Sequence, residues 1–166
     1  MRSKVLAPVV AGVVLMAAGS AMADTKTTTF PVSAQVAATC LVSADSIDFG
    51  SYDGTSELAA NGAVKVRCSY GTPFTVQLSA GAGSFAQRLL KSGANQLEYN
   101  LFTDSDFTSV WGDGTASTVD VDDVGAGLSS TREITHTVFG QLTNSAANQD
   151  APAGPYSDTI TVTVVY

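Results

Sequence analysis

The chain has one histidine, two cysteines and one tryptophan in 166 residues. One histidine and two cysteines fall short of the four-ligand set of a structural zinc site. A nucleophilic or acid–base site needs a base within reach of its partner, and His136 is the sole histidine. It lies between Thr135 and Thr137 in an alternating run, where a structural strand histidine is the expectation. Neither a Gly-x-Ser-x-Gly elbow nor a phosphate-cradling glycine loop ahead of a helix occurs. The sequence therefore predicts a protein that is not an enzyme, with no cofactor and no metal. Basic residues are scarce as well, eight Lys and Arg against fifteen Asp and Glu, so nucleic acid and anionic lipid would repel the chain. Asp104, Asp106, Asp113, Asp120, Asp122 and Asp123 crowd the middle third. Their spacing does not match a twelve-residue calcium loop, and solvated acidic loops are expected.

Long apolar runs are missing beyond the start of the chain. There, Arg2 and Lys4 precede an apolar stretch from Val5 to Ala18, and Ala21-Met22-Ala23 offers small residues at the positions that a signal peptidase reads. A stretch of this length is short for a membrane span, which needs about 20 residues. Residues 1–23 are predicted to be a secretory signal, cleaved before Asp24. Two of the eight basic residues would leave with it and all fifteen acidic ones would stay. Six against fifteen gives the mature chain a net charge of -9. Export implies an oxidising compartment, so Cys40 and Cys68 are expected to form a disulfide.

Lys and Glu are few, while Thr, Val, Ser, Ala and Gly are plentiful, which favours strands over helices. Period-two series recur along the chain: Phe30, Val32, Ala34, Val36; Val64, Val66, Cys68; Phe74, Val76, Leu78, Ala80; Leu97, Tyr99, Leu101; Ile134, His136, Val138, with a switch of face from Phe139; and Ile160, Val162, Val164, Tyr166. Turn signals separate them, among them Asp53-Gly54, Gly71-Thr72-Pro73, Gly112-Asp113-Gly114 and Pro152 to Pro155. One turn of helix is conceivable at Ser84 to Leu90. No repeat, heptad or domain-sized linker is visible, so residues 24–166 are expected to form one all-β sandwich. Tyr99 and Phe102 read as core or strand-end residues. Trp111 reads as a half-buried aromatic beside a turn, with sugar stacking as the sharper alternative.

The pieces Phe30-Pro31-Val32-Ser33-Ala34-Gln35-Val36 before Cys40, Ile47-Asp48-Phe49-Gly50, Val64 to Cys68, Gly71 to Gly81, Leu97 to Asp104, Val110 to Gly114, and Ala153 to Asp158 running into Thr159–Tyr166 occur in this order. In this the chain resembles the spore coat protein U family, which includes the Csu-type subunits of archaic chaperone–usher pili. The resemblance implies an incomplete immunoglobulin-like β-sandwich, completed by donor-strand complementation. A periplasmic chaperone would first lend a strand, and at the outer-membrane usher a neighbouring pilin subunit would replace it. It implies a structural subunit of a surface pilus, exported through the periplasm to the cell surface and supporting adhesion and biofilm formation.

On that reading residues 24–37 hold the donor strand, with Phe30, Val32, Ala34 and Val36 as its apolar face. Ile160, Val162, Val164 and Tyr166 form the strand that pairs with chaperone or donor. The plain alternative makes Phe30–Val36 the first strand of the chain's own sandwich. Few residues separate that segment from Cys40, so a donor would be joined to its body by a short, stiff connection. The other functions open to the sequence are a coat-type surface layer and a self-complete secreted binding domain.

Overall fold

The computed structural model describes residues 22–166. The predicted signal, up to Ala21, lies outside the described residues. The chain divides into two units, one ending at Gln35 and one running from Val36 to Tyr166. Residues 22–39 form neither strand nor helix.

Eight strands follow: β1 (Cys40–Ala44), β2 (Leu58–Cys68), β3 (Pro73–Leu78), β4 (Arg88–Ser92), β5 (Asn95–Phe102), β6 (Val121–Val124), β7 (Ile134–Leu142) and β8 (Val162–Val165). The helical pieces are a turn at Ser130–Arg132 and a four-residue α-helix at Ala146–Gln149. One sheet has the order β1-β2-β7-β5-β4, the other β6-β3-β8, and every ladder is antiparallel. The chain is thus all-β, with the two-sheet architecture of an immunoglobulin-like sandwich.

Alternation puts Val64, Val66 and Cys68 of β2 and Leu97, Tyr99 and Leu101 of β5 on the inner face of the larger sheet, opposite Phe74, Val76 and Leu78 of β3. All are buried, as period-two apolar residues must be when only one face is dry. Ala80 lies past the end of β3. The switch of face expected at Phe139 does not occur. Val138, Gly140 and Leu142 stay inward and Phe139 is half-buried, because Gly140 takes the inward position without a side chain. The helical turn considered at Ser84 to Leu90 is instead a bend leading into β4.

Trp111 is fully buried, and its Nε1 donates to the Val76 carbonyl at 3.1 Å. This corrects the half-buried expectation and leaves the ring no face for a sugar. Beside it lies Arg88, also fully buried. Its Nη1 donates to Asn100 Oδ1 at 2.6 Å, its Nε and Nη2 to the Ser79 carbonyl at 3.1 and 2.8 Å, and its Nη2 to the Trp111 carbonyl at 2.7 Å. A buried charge is tolerable only when such dipoles replace its water. Here they join β4, β5, the end of β3 and the strip holding Trp111.

Cys40 and Cys68 are cross-strand partners and form a disulfide that ties the start of β1 to the end of β2. The bridge closes a loop with a sequence separation of 28. Chain entropy makes that worth about 3–4 kcal/mol. Cys68→Ala should lower unfolding free energy in urea by about that much, and a loss under about 1 kcal/mol would show that the bridge does not carry the fold.

His136 points inward, its ring edge-on to Phe74 and Trp111. Burial pushes its pKa below the ordinary value of 6.5, and the Asp123 carboxylate, 3.7 Å away, opposes that shift only in part. A depressed folded-state pKa means that the unfolded chain binds the proton first. Stability should therefore be whole above about pH 6.5 and should fall as pH drops towards the folded-state value. Urea midpoints at about pH 7 and pH 5.5 should show this slope, and His136→Phe should flatten it.

Candidate functional site: an open groove between two unpaired edges

A two-sheet sandwich has four edges, and each must be paired, covered or blunted. The outer edge of β4 is covered by Ser157, which exchanges both backbone hydrogen bonds with Lys91 at 2.8 and 3.0 Å. β6 is only four residues long and carries Asp122 and Asp123. β1 and β8 are about as short, but neither carries a charged residue. β1 pairs only with β2, and β8 only with β3. Thr159–Tyr166 contains no charge and no proline. These two bare edges flank one cleft.

The cleft runs between the sheets in two connected parts of about 390 and 520 Å³, which share Ile47, Phe49, Leu90 and Asp158. Val64, Leu78, Tyr99, Leu101 and Val138 line the smaller part and belong to the hydrophobic core. The core thus forms the floor of the cleft while staying almost fully buried. Val42, on the same strand face as Cys40 and Ala44, remains 46% exposed.

Each wall has a physical cause. After β1 the chain carries Ile47 and Phe49 across the larger sheet, where Gly62 and Gly140 make room. A Cβ on Gly62 would lie 2.6 Å from Ile47 Cγ1, and one on Gly140 would lie 3.0 Å from Phe49 Cζ. The opposite wall is fixed by Asp158, whose Oδ2 accepts from the Tyr99 hydroxyl at 2.6 Å and whose Oδ1 accepts from the amides of Ala82 and Thr159 at 3.0 and 2.7 Å. Burial and this carboxylate push the Tyr99 phenol well above its ordinary pKa, so it stays a donor. The groove offers shape, apolar surface and free strand edges, and no nucleophile with a base.

Of the residues singled out by sequence, Ile160, Val162 and Val164 are partly buried and packed on the core, and Ile160 and Val162 line the cleft. Tyr166 lies past the end of β8 and is 60% exposed. Phe30, Val32 and Val36 are 80%, 86% and 89% exposed, and with Ala34 they belong to no strand. Ile47, Phe49 and Asp158 were not foreseen as groove walls. The signal for the first two was the alternation in Ile47-Asp48-Phe49, too short to stand out. The acidic loops hold themselves: Asp104 accepts from the amides of Thr108, Ser109 and Asp106, which keeps its pKa low, and Asp113 accepts from Thr115. Among the described residues no group of three His, Cys, Asp or Glu is placed to hold a metal ion.

These features define a two-sheet β-sandwich with a cleft between its sheets. The Spore Coat Protein U domain family matches residues 26–163, and the chain belongs to that family. A chain of the Acinetobacter baumannii crystal structure described as the CsuC-CsuE chaperone-tip adhesion subunit pre-assembly complex, from archaic chaperone-usher Csu pili, is similar at 25% identity with a TM-score of 0.55. The match covers 79% of this chain and 40% of that one, so this chain spans well under half of that relative's length. No curated protein matches the chain.

Blunting β8 without touching the core should show that its edge is exposed. Thr163 faces solvent, and Thr163→Lys should suppress self-association of the purified chain in light scattering while leaving its circular dichroism unchanged. Equal association in both proteins would mean that the β8 edge is not the sticky surface.

Proposed function

We propose that this chain is an exported subunit of a surface pilus whose groove is completed by a β-strand from another molecule. A periplasmic chaperone supplies it first, and the N-terminal segment of a neighbouring copy or another pilin subunit supplies it in the fibre, after exchange at an outer-membrane usher. The observation that carries this reading is the cleft floored by the core and reached by two edge strands, β1 and β8, that are paired on one side only. An extended segment in the gap gains main-chain hydrogen bonds along β8, and every second side chain enters the cleft. Phe30, Val32, Ala34 and Val36 have that spacing, with Pro31, Ser33 and Gln35 interleaved. Pro31 lacks an amide hydrogen and fits where no ladder bond is needed.

The family match and the likeness to a chain of a chaperone-bound pilus complex support the same reading. Family and fold are those of structural pilus subunits, and the chain acts by assembly and not by catalysis. Adhesion and biofilm formation would follow from the fibre as a whole.

Deleting Asp24 to Val36 should give a subunit that accepts a strand and cannot donate one. It should fail to form filaments in electron microscopy, yet bind a synthetic peptide of residues 24–36. Val32→Asp in that peptide should weaken binding at least about tenfold, since a buried valine becomes a buried charge. Normal filaments from the deleted chain would overturn the reading.

A further inference from the structure

Residues 37–39 are the whole connection between Val36 and β1, and they are held to the body at Ala37 and Thr39. The Thr39 amide donates to Ser69 Oγ at 3.1 Å, and the Ser69 amide donates to the Thr39 carbonyl at 2.9 Å. The Ser69 hydroxyl has its Oγ 3.3 Å from the Ala37 carbonyl and 3.4 Å from the Thr39 carbonyl, and its one proton serves either. Immediately beyond these contacts the Cys40–Cys68 disulfide locks the same two chain segments together. The turn that carries Ser69 is itself anchored, because the Gly71 amide donates to the Gly125 carbonyl and the Gly127 amide to the Cys68 carbonyl, at 2.8 and 3.0 Å. No slack is left. From the clamped Ala37 to Val36 is one peptide step, about 3.8 Å between Cα atoms.

We infer that Ser69 is a positioning residue that sets the direction in which the N-terminal segment leaves the body, and so fixes the angle between successive copies in a fibre. The inference rests on the strand-donation reading for its consequence, but the clamp itself is a property of one molecule. A connection of three free residues would behave as a swivel, whereas residues bonded on both sides of a hydroxyl and abutting a disulfide transmit orientation. The partner is a second copy of this chain, reached through this three-residue connection. Tyr70, next in sequence to Ser69, is exposed.

Two measurements on the full mature chain test this. In the monomer, Ser69→Ala should speed hydrogen exchange at the Thr39 amide about fivefold, as expected for loss of one ordinary hydrogen bond. Ser69→Thr, which keeps a hydroxyl, should restore it, and the unfolding midpoint should barely move. In fibres, Ser69→Ala should at least double the spread of angles between neighbouring copies in electron micrographs, with filament yield and peptide affinity unchanged and with Ser69→Thr again like the wild type. Unchanged Thr39 exchange in Ser69→Ala overturns the clamp. Faster exchange with an unaltered angular spread overturns its role in the fibre. Failure of the wild-type chain to form filaments removes the strand-donation reading instead, and the Thr39 exchange still decides the clamp.

Discussion

Two β-sheets can close a core only if their edges are satisfied as well as their faces. In this molecule the faces are satisfied: Val64, Val66, Phe74, Val76, Leu97 and Leu101 meet across the interior and are buried. The constraint that fails is at one margin, where β1 and β8 each have a neighbour on one side only. Main-chain pairing is therefore unfinished on the outer sides of these two strands, and on the strand-donation proposal one extended segment would supply it.

Such an unfinished margin needs rigid surroundings, or the sheets would collapse onto each other. The polar contacts of the interior are placed where they resist that collapse. Arg88 spans from Ser79 to Asn100 and Trp111. Asp158 draws the stretch before β8 towards Tyr99 and the turn at Ala82, and Asn148 of the short helix accepts from the Glu98 amide and donates to the Thr143 carbonyl. Each has hydrogen-bond partners, as a polar group taken out of water has to have. They keep the cleft open as a preformed shape, and preorganisation of that kind lowers the ordering cost of a strand that enters.

Much of this architecture was legible in the chain. The alternating series placed β2, β3, β5, β7 and β8 with their inner faces correct, because a half-buried strand writes its environment into every second residue. β1, β4 and β6 were missed. Cys40–Ala44 and Val121–Val124 are too short for a pattern, and β4 breaks alternation with Leu89 beside Leu90 and begins at an arginine that the fold buries. The disulfide followed from counting two cysteines in an exported chain, whereas the depth of Trp111 did not follow from its turn-like neighbours. The groove was legible on one wall only. Ile160 and Val162 stood in an alternating series, while Asp158 and the glycine seats under Ile47 and Phe49 depend on contacts between distant parts of the chain. The segment around Phe30 carried a strand pattern and forms no strand among the described residues, since alternation alone does not supply the hydrogen-bonding neighbour that a strand needs.

The sole tryptophan lies sealed behind β3, edge-on to His136 and bonded to Val76, and it is absent from the lining of the cleft, where Tyr52, Tyr99 and Tyr156 are found. The molecule thus carries one built-in reporter of its body, set apart from the cleft. Indole emission follows the integrity of the sandwich interior, so unfolding can be watched without attaching a label.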